Sequence, residues 1–442
     1  MAMAGNIPLL RDSKQAPVQG TLLRYGIAPK IALNNAQTEL RNFTPEELST
    51  VFGKLQKYGT DLKSFDFTSA SLVSKLANLA VEGSTKPAWL KPPRDLIEQS
   101  AKERLALCVN SRGEWSLRQD GYFAISHVWE EGIQADPGNQ GIPLAHLHQI
   151  IQRIHQVGAE WIWLDGLAIP GSSKVLTLEE EELKIAIINN LAAIYRRANS
   201  VIIFDALAMQ LRSMDYVDVA VCLTCGKWAT RVWTFQEIYL AKKAVVLTAT
   251  GVVDFLDMTR RLRALSGNES GQSKIFGTQR TALDAVAVTE RSPAKYEELY
   301  LKLVRLVSAE GMKPSLAQIA MSCKDRKTGN DIDYARAFFP VLGLIWKSSL
   351  TREEGMELIY NGQRDSAKRL LLMHGSPRSS VRPGWAPSYL TGLSGRPIGP
   401  DHPLGDIERD VRGLKRTWYT YKVCTKFHPG QDHSTNQSRY RY

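Results

Sequence analysis

Tyr122-Phe-Ala-Ile-Ser-His-Val128 is a short, mainly apolar run, and Asp136-Pro-Gly-Asn-Gln-Gly141 follows it as a loop. Such a run, bounded by turn residues, reads as a buried strand. Leu144, Leu147, Ile150, Ile151 and Ile154 then recur at helical spacing, and Trp161-Ile-Trp-Leu164 forms a second strand ending at Asp165. Thr177 caps a long helix with an acidic first turn, Glu179 to Glu182, and a basic last turn, Arg196 and Arg197, which suits the helix dipole. Ile185, Ile188, Leu191 and Tyr195 form its buried face. Ser200-Val-Ile-Ile-Phe-Asp205 is a third strand, Arg231 to Ile238 a helix, and Ala244-Val-Val-Leu-Thr248 a fourth strand. Four short apolar strands alternating with helices predict an α/β fold with a parallel sheet covered on both faces.

Outward from this block, the chain is expected to be mainly helical. Thr44-Pro45-Glu46-Glu47 reads as a capping box that opens a helix. Ser71 to Ala80 and Arg94 to Leu107 read as further helices, giving an N-terminal helical region over 1–115. The α/β domain then occupies 116–255. A mainly helical C-terminal region follows over 256–403, with Met258 to Leu265 and Tyr296 to Val307 as its clearest runs, a polar loop at 268–280, and a further amphipathic segment over Tyr334 to Phe339. Residues 404–442 form a basic tail.

The composition narrows the function classes. No apolar run reaches the roughly 18 residues of a membrane helix, and Met1-Ala-Met-Ala-Gly-Asn lacks the pattern of a secretory signal, so a cytoplasmic protein without membrane contact is expected. Five scattered cysteines point to a reducing compartment. Cys222-Leu-Thr-Cys225 has no second ligand pair to complete a zinc site and reads as ordinary thiols. Residues 362–442 carry 14 Lys/Arg against 6 Asp/Glu, a net +8 of the total +11. No nucleic-acid motif accompanies that charge, so it reads as a solvated tail and not as a nucleic-acid arm. The absence of GxGxxG and GxxxxGK[ST] argues against a dehydrogenase or a P-loop nucleotidase.

In open α/β sheets ligands bind outside the carboxyl ends of the strands. The residues expected there are Ser126, His127, Trp129, Asp165 and Asp205. The helix after the third strand adds Trp233 and Glu237, one turn apart on one face. Two readings stand for several of these. Glu237 is a catalytic carboxylate or a structural one with a basic partner. His127 lines the cleft or is a satisfied histidine at a strand end. Asp165 binds ribose hydroxyls or caps a helix, and capping is the expectation for Asp205. Ser126 and His127 are adjacent in a strand and point to opposite faces, which rules against a Ser-His-Asp triad with Asp165. Most of the tryptophans read as core, with Trp129 and Trp233 next to the cleft.

Several of these stretches, in order, resemble the fungal heterokaryon-incompatibility (HET) domain: Ala124-Ile-Ser-His-Val-Trp129, Trp161-Ile-Trp-Leu-Asp165, Ile194-Tyr195-Arg-Arg-Ala198, Val201-Ile-Ile-Phe-Asp205 and Arg231-Val-Trp-Thr-Phe-Gln-Glu237. The likeness covers roughly 120–250. Arg326, Ala335 to Leu344 and Trp385-Ala-Pro-Ser388 resemble segments that often follow such domains. One departure is Ala168-Ile169-Pro170-Gly171, where many members carry Cys-Ile-Asn-Gln, and another is Glu130-Glu131 in place of a common glycine. The resemblance implies a TIR/flavodoxin-like sheet and a role in self/non-self recognition and programmed cell death. It also implies self-association or pairing with another incompatibility protein. TIR enzymes cleave the nicotinamide–ribose bond of NAD with a Trp and a Glu four residues apart in a helix after the third strand, a spacing that Trp233 and Glu237 match. On that likeness NAD is a substrate, no cofactor is permanently bound, Glu237 is catalytic, and Ser126, His127, Trp129, Asp165 and Trp233 form the binding site. The alternative is a non-catalytic HET interaction module.

Overall fold

The computed structural model describes residues 45–60, 65, 89–129, 141–170, 176–266, 293–307, 313–370, 373–376, 386–395, 408–410 and 413–415. The helix expected over Ser71 to Ala80, the loop at 268–280, the Thr44 cap, Trp385 and most of the basic tail lie outside them. The chain divides into two compact units, residues 1–398 and 399–442. In the second unit Glu408–Asp410 pairs antiparallel with Gly413–Lys415.

In chain order the first unit has helices α1 (Pro45–Lys57) and α2 (Arg94–Glu103), strands β1 (Ala106–Asn110), β2 (Trp115–Arg118) and β3 (Phe123–Ser126), helix α3 (Leu144–Ile154), β4 (Trp161–Trp163), the short α4 (Asp165–Ala168), the long α5 (Leu178–Arg197) and β5 (Ser200–Ile203). Then come α6 (Tyr216–Cys225), α7 (Trp233–Tyr239), β6 (Ala244–Leu247), β7 (Val252–Asp254), α8 (Phe255–Leu265) and α9 (Pro293–Val304). The chain continues with α10 (Leu316–Ser322), α11 (Asp333–Arg336), α12 (Phe339–Leu342), α13 (Arg352–Gly362) and α14 (Arg364–Lys368). No helix among the described residues is long and apolar enough to cross a membrane.

One seven-stranded sheet, in the order β2-β1-β4-β3-β5-β6-β7, organises the unit. The four expected strands are its centre: β4, β3, β5 and β6 run parallel. The expectation of a wholly parallel sheet needs correction, because β1 pairs antiparallel with β4 and β2 at one edge and β7 pairs antiparallel with β6 at the other. For the β1–β2 and β6–β7 pairs the cause is loop length: each is joined by a four-residue turn, and so short a connection permits only antiparallel pairing. In the first turn the Asn110 carboxamide oxygen accepts from Arg112 and Glu114 N–H while Gly113 takes φ 80°.

The helix expected through Leu107 also ends early. Arg104 adopts the left-handed conformation at φ 58°, its N–H returns to the Ser100 carbonyl, and the chain enters β1 at Ala106. The amphipathic segment over Tyr334 to Phe339 is likewise split, since Pro340 starts a new turn, α12, which Gly343 closes at φ 70°.

Residues along the parallel strands alternate between two cores, as the pleat requires. Ile125, Ile162, Ile202 and Val245 face the core under α3, with Leu147, Ile150 and Ile154. Ala124, Trp163, Val201, Ile203 and Val246 face the larger core, where Ile188, Leu191 and Tyr195 of α5 and Phe235 of α7 pack. Both faces are therefore covered. α5 has a complete capping box, Thr177 with Glu180, and its acidic and basic ends lie as expected. Ser126 continues the Ala124 alternation and emerges from β3 on the side of α5 and α7. This register decides which chemistry Ser126 meets.

Candidate functional site

Where β3 and β5 lie side by side, the chain leaves their carboxyl ends in opposite directions, toward β4 through α3 and toward β6 through α6 and α7. Such a reversal opens a crevice in α/β sheets. A cavity of about 290 Å³ lies there, lined by His127, Trp129, Asp165, Trp233 and Glu237 among others. Five of the six expected site residues thus share one cavity. The sixth, Ser126, is fully buried and lies behind Glu237.

Glu237 is held from behind. The Ser126 hydroxyl donates to Glu237 Oε2 and accepts from the Trp228 indole N–H at 2.7 Å. Burial pushes the Glu237 carboxyl up to about 7; the charge of Asp165 adds to that, and the Ser126 hydrogen bond, His127 and Arg326 oppose it. The Tyr195 phenol, itself raised far above its ordinary range by burial and by the charge of Glu237, lies against the same carboxylate.

Asp165 forms a second node. His127 Nε2 lies 2.9 Å from its Oδ1, the Trp129 indole N–H donates to its Oδ2 at 2.7 Å, and the Gly166 N–H donates to Oδ1. His127 is therefore a cavity wall that is tied to Asp165 through Nε2, while its buried Nδ1 has no partner among the described residues. Burial alone would lower its pKa, but the charge and hydrogen bond of Asp165, with Glu237 nearby, outweigh burial and hold it above its ordinary value. Ser126 and His127 engage different carboxylates, and no Ser-His-Asp relay exists.

Asp205 does not line the cavity. It is fully buried and caps the turn that follows β5, accepting from Leu207 and Ala208 N–H through Oδ1 and from Trp228 N–H through Oδ2. Burial raises its carboxyl to about 6 against those three bonds. Gly226 makes room for it, since a Cβ there would stand 2.0 Å from Asp205 Oδ2.

A seven-residue helix such as α7 has little stability of its own, and distant residues fix it. Thr234 Oγ1 donates to the Trp228 and Arg231 carbonyls, Val232 N–H donates to Lys327 O, and buried Arg326 donates to Arg231 O and Thr234 Oγ1. The Trp233 indole donates to Asp333 Oδ2 at 2.9 Å, and Arg336 Nη2 holds Asp333 Oδ1 at 2.6 Å. Asp333, Arg336 and the Thr328 to Asn330 loop close the cavity from the C-terminal side.

The expectation that Trp129 and Trp233 flank the cleft matches their place: both line the cavity, Trp163 is core, and half-buried Trp161 stacks under Arg118 at 4.7 Å. Sequence reading did not identify Trp228, Tyr195, Asp333 or Arg336 as site residues. The spacing of Tyr195 within its apolar helix face marked it only as core, and Trp228 and Asp333 carry no local signal.

Ile169 and Pro170 give the cavity an apolar wall. Cys222 is buried and Cys225 half-buried, both as free thiols, and burial raises both above the ordinary thiol range. Among the described residues no cluster of His, Cys, Asp and Glu is arranged to hold a metal ion.

The site is a buried carboxylate titrating near neutrality, set in the wall of a small cavity with two indole rings and the cations Lys184, Arg231 and Arg336 at its border. The indole rings suit a ligand with a planar group, and the cations are matched by the carboxylates of Asp165, Glu237 and Asp333 in the same lining. Comparison of the chain with models of known protein families, with curated proteins and with solved structures found no match.

Proposed function

We propose that this chain is a HET-type protein whose α/β domain carries a TIR-like, flavodoxin-type sheet and hydrolyses NAD at the nicotinamide–ribose bond, with Glu237 as the carboxylate beside the reacting ribose. The observation that carries the reading is the placement of Glu237: desolvated, raised to about 7, and in the wall of a cavity at the carboxyl ends of the parallel strands. The strand order supports it. Numbered by their place in the chain, the parallel strands run second, first, third, fourth, which are the first four positions of the flavodoxin order.

In the reaction nicotinamide departs with the electrons of the glycosidic bond, leaving positive charge on the ribose. An ionised carboxylate beside the ring stabilises that oxocarbenium-like state. Water adds to the ribose carbon and its proton leaves through Glu237 or solvent, giving ADP-ribose and nicotinamide. Nicotinamide leaves as a neutral ring and needs no general acid. In the cell this activity would serve cytoplasmic self/non-self recognition and programmed death, with self-association as the switch. Concentrated purified protein is expected to release nicotinamide from NAD, and Glu237→Gln to abolish that release.

The second reading is a non-catalytic HET interaction module. It rests on Glu237 being only 6% exposed and tied to Ser126, as a purely structural carboxylate would be. Death signalling retained by Glu237→Gln, with no nicotinamide release by the unaltered protein, decides for it.

A further inference from the structure

Trp233, Gln236 and Glu237 stand at positions i, i+3 and i+4 of α7 and line the same cavity. Gln236 is 1% exposed, and neither its Oε1 nor its Nε2 has a hydrogen-bond partner among the described residues. Each of its polar neighbours is tied to a protein group, although His127 Nδ1 is also without a partner among the described residues. Glu237 holds Ser126, Trp233 holds Asp333, and His127 and Trp129 hold Asp165. A buried amide with both ends unpaired is costly and uncommon, and here it belongs to a cavity wall next to the candidate catalytic carboxylate.

We propose that Gln236 is a specificity-determining residue that pairs with a primary carboxamide on the ligand. A glutamine side chain offers one acceptor and a two-proton donor side by side. A ligand carboxamide presents the complementary pair and satisfies both ends at once. A carboxylate in its place offers acceptors only, leaves Oε1 unpaired, and brings negative charge toward Glu237 and Asp165. The inference rests on the NAD reading and sharpens it: the nicotinamide end is read at Gln236, and the dinucleotide whose ring bears a carboxylate is rejected. A site built around a hydrogen-bonding pair discriminates strongly against an analogue that cannot complete it.

The test measures binding of free nicotinamide, nicotinate and adenosine monophosphate to the full chain by calorimetry, in the unaltered protein and in Gln236→Leu, alongside steady-state cleavage of NAD and its carboxylate analogue. Adenosine monophosphate is included because adenine carries a similar donor–acceptor edge. The unaltered protein is expected to bind nicotinamide at least about ten-fold tighter than nicotinate. In Gln236→Leu that ratio falls to about one, KM for NAD rises more than kcat falls, and thermal stability is retained or improved because an unpaired amide is gone. Selective nicotinamide binding through Gln236 without NAD cleavage upholds this inference and removes the hydrolase reading. Cleavage of both dinucleotides at equal kcat/KM, a selectivity unchanged in Gln236→Leu, or loss of adenosine monophosphate binding in place of nicotinamide binding overturns it.

Discussion

The Ser126 hydroxyl at the end of β3 donates to the carboxylate of Glu237, 111 residues further along the chain and on a different element. That bond joins the sheet to the helix that carries the candidate chemistry, and it opposes the upward shift of the Glu237 carboxyl.

Removing the carboxylate is expected to stabilise the protein. The folded pKa of about 7 lies above the ordinary 4.5, so the folded state keeps a proton that the unfolded chain has released. Stability from this group is fully present below pH 4.5, falls as pH rises toward 7, and stays lost above it. The shift corresponds to about 3 kcal/mol. Glu237→Gln should therefore unfold at higher denaturant concentration than the unaltered protein at pH 8, with the difference shrinking toward pH 4.5. A variant less stable at pH 8 would contradict the assignment.

If the ionised form acts at the ribose, kcat/KM for NAD cleavage should rise with pH through about 7 and level off above it. Ser126→Ala removes a bond that favours the ionised form, so the midpoint should move upward and the rate at pH 7 should fall. A pH–rate profile of nicotinamide release measures both. An unmoved midpoint would mean that Ser126 does not tune Glu237.

The same substitution leaves the Trp228 indole N–H buried without its acceptor, at about 1–3 kcal/mol. Trp228→Phe removes that donor, so Ser126→Ala combined with Trp228→Phe should be destabilised less than the sum of the single changes. Denaturant titration of the four proteins gives the coupling, and strict additivity would show that the bond contributes nothing.

Gly226→Ala tests the Asp205 cap. The added methyl would stand 2.0 Å from Asp205 Oδ2, so the carboxylate must move off the N–H groups it caps. A loss of about 1–3 kcal/mol is expected, read from thermal or chemical denaturation.

Asp333→Ala strips the partner from both the Trp233 indole and Arg336, whose side chains with Asp333 form a nearly buried group. Breaking such a pair costs about 3–5 kcal/mol. Because Trp233 is then free to turn, KM for NAD should rise as well. Unchanged KM in a folded variant would separate Trp233 from ligand binding.

Much of the fold was legible locally. Alternating apolar runs located β3, β4, β5 and β6, and the Thr177 cap with its charged ends located α5, because period and capping depend on residues within a few positions of each other. The edge strands escaped notice because α2 ends on Arg104, a residue with no ordinary stop signal, and because β7 is only three residues long. In the site, the i, i+4 spacing placed Trp233 and Glu237 on one helix face, and the family resemblance singled them out. Trp228 and Asp333 were not found, since nothing within their own segments marks them.

By itself the sequence determined the four parallel strands and the helix faces between them, both consequences of local periodicity. Only the tertiary structure decided that the Glu237 carboxylate meets Ser126 and Tyr195, that Asp165 holds both His127 and Trp129, and that Gln236 faces the cavity unpaired. The reason is electrostatic and steric: desolvation and charge proximity exist only once segments about 40 to 110 residues apart are packed together, and those two quantities raise Glu237 to about 7.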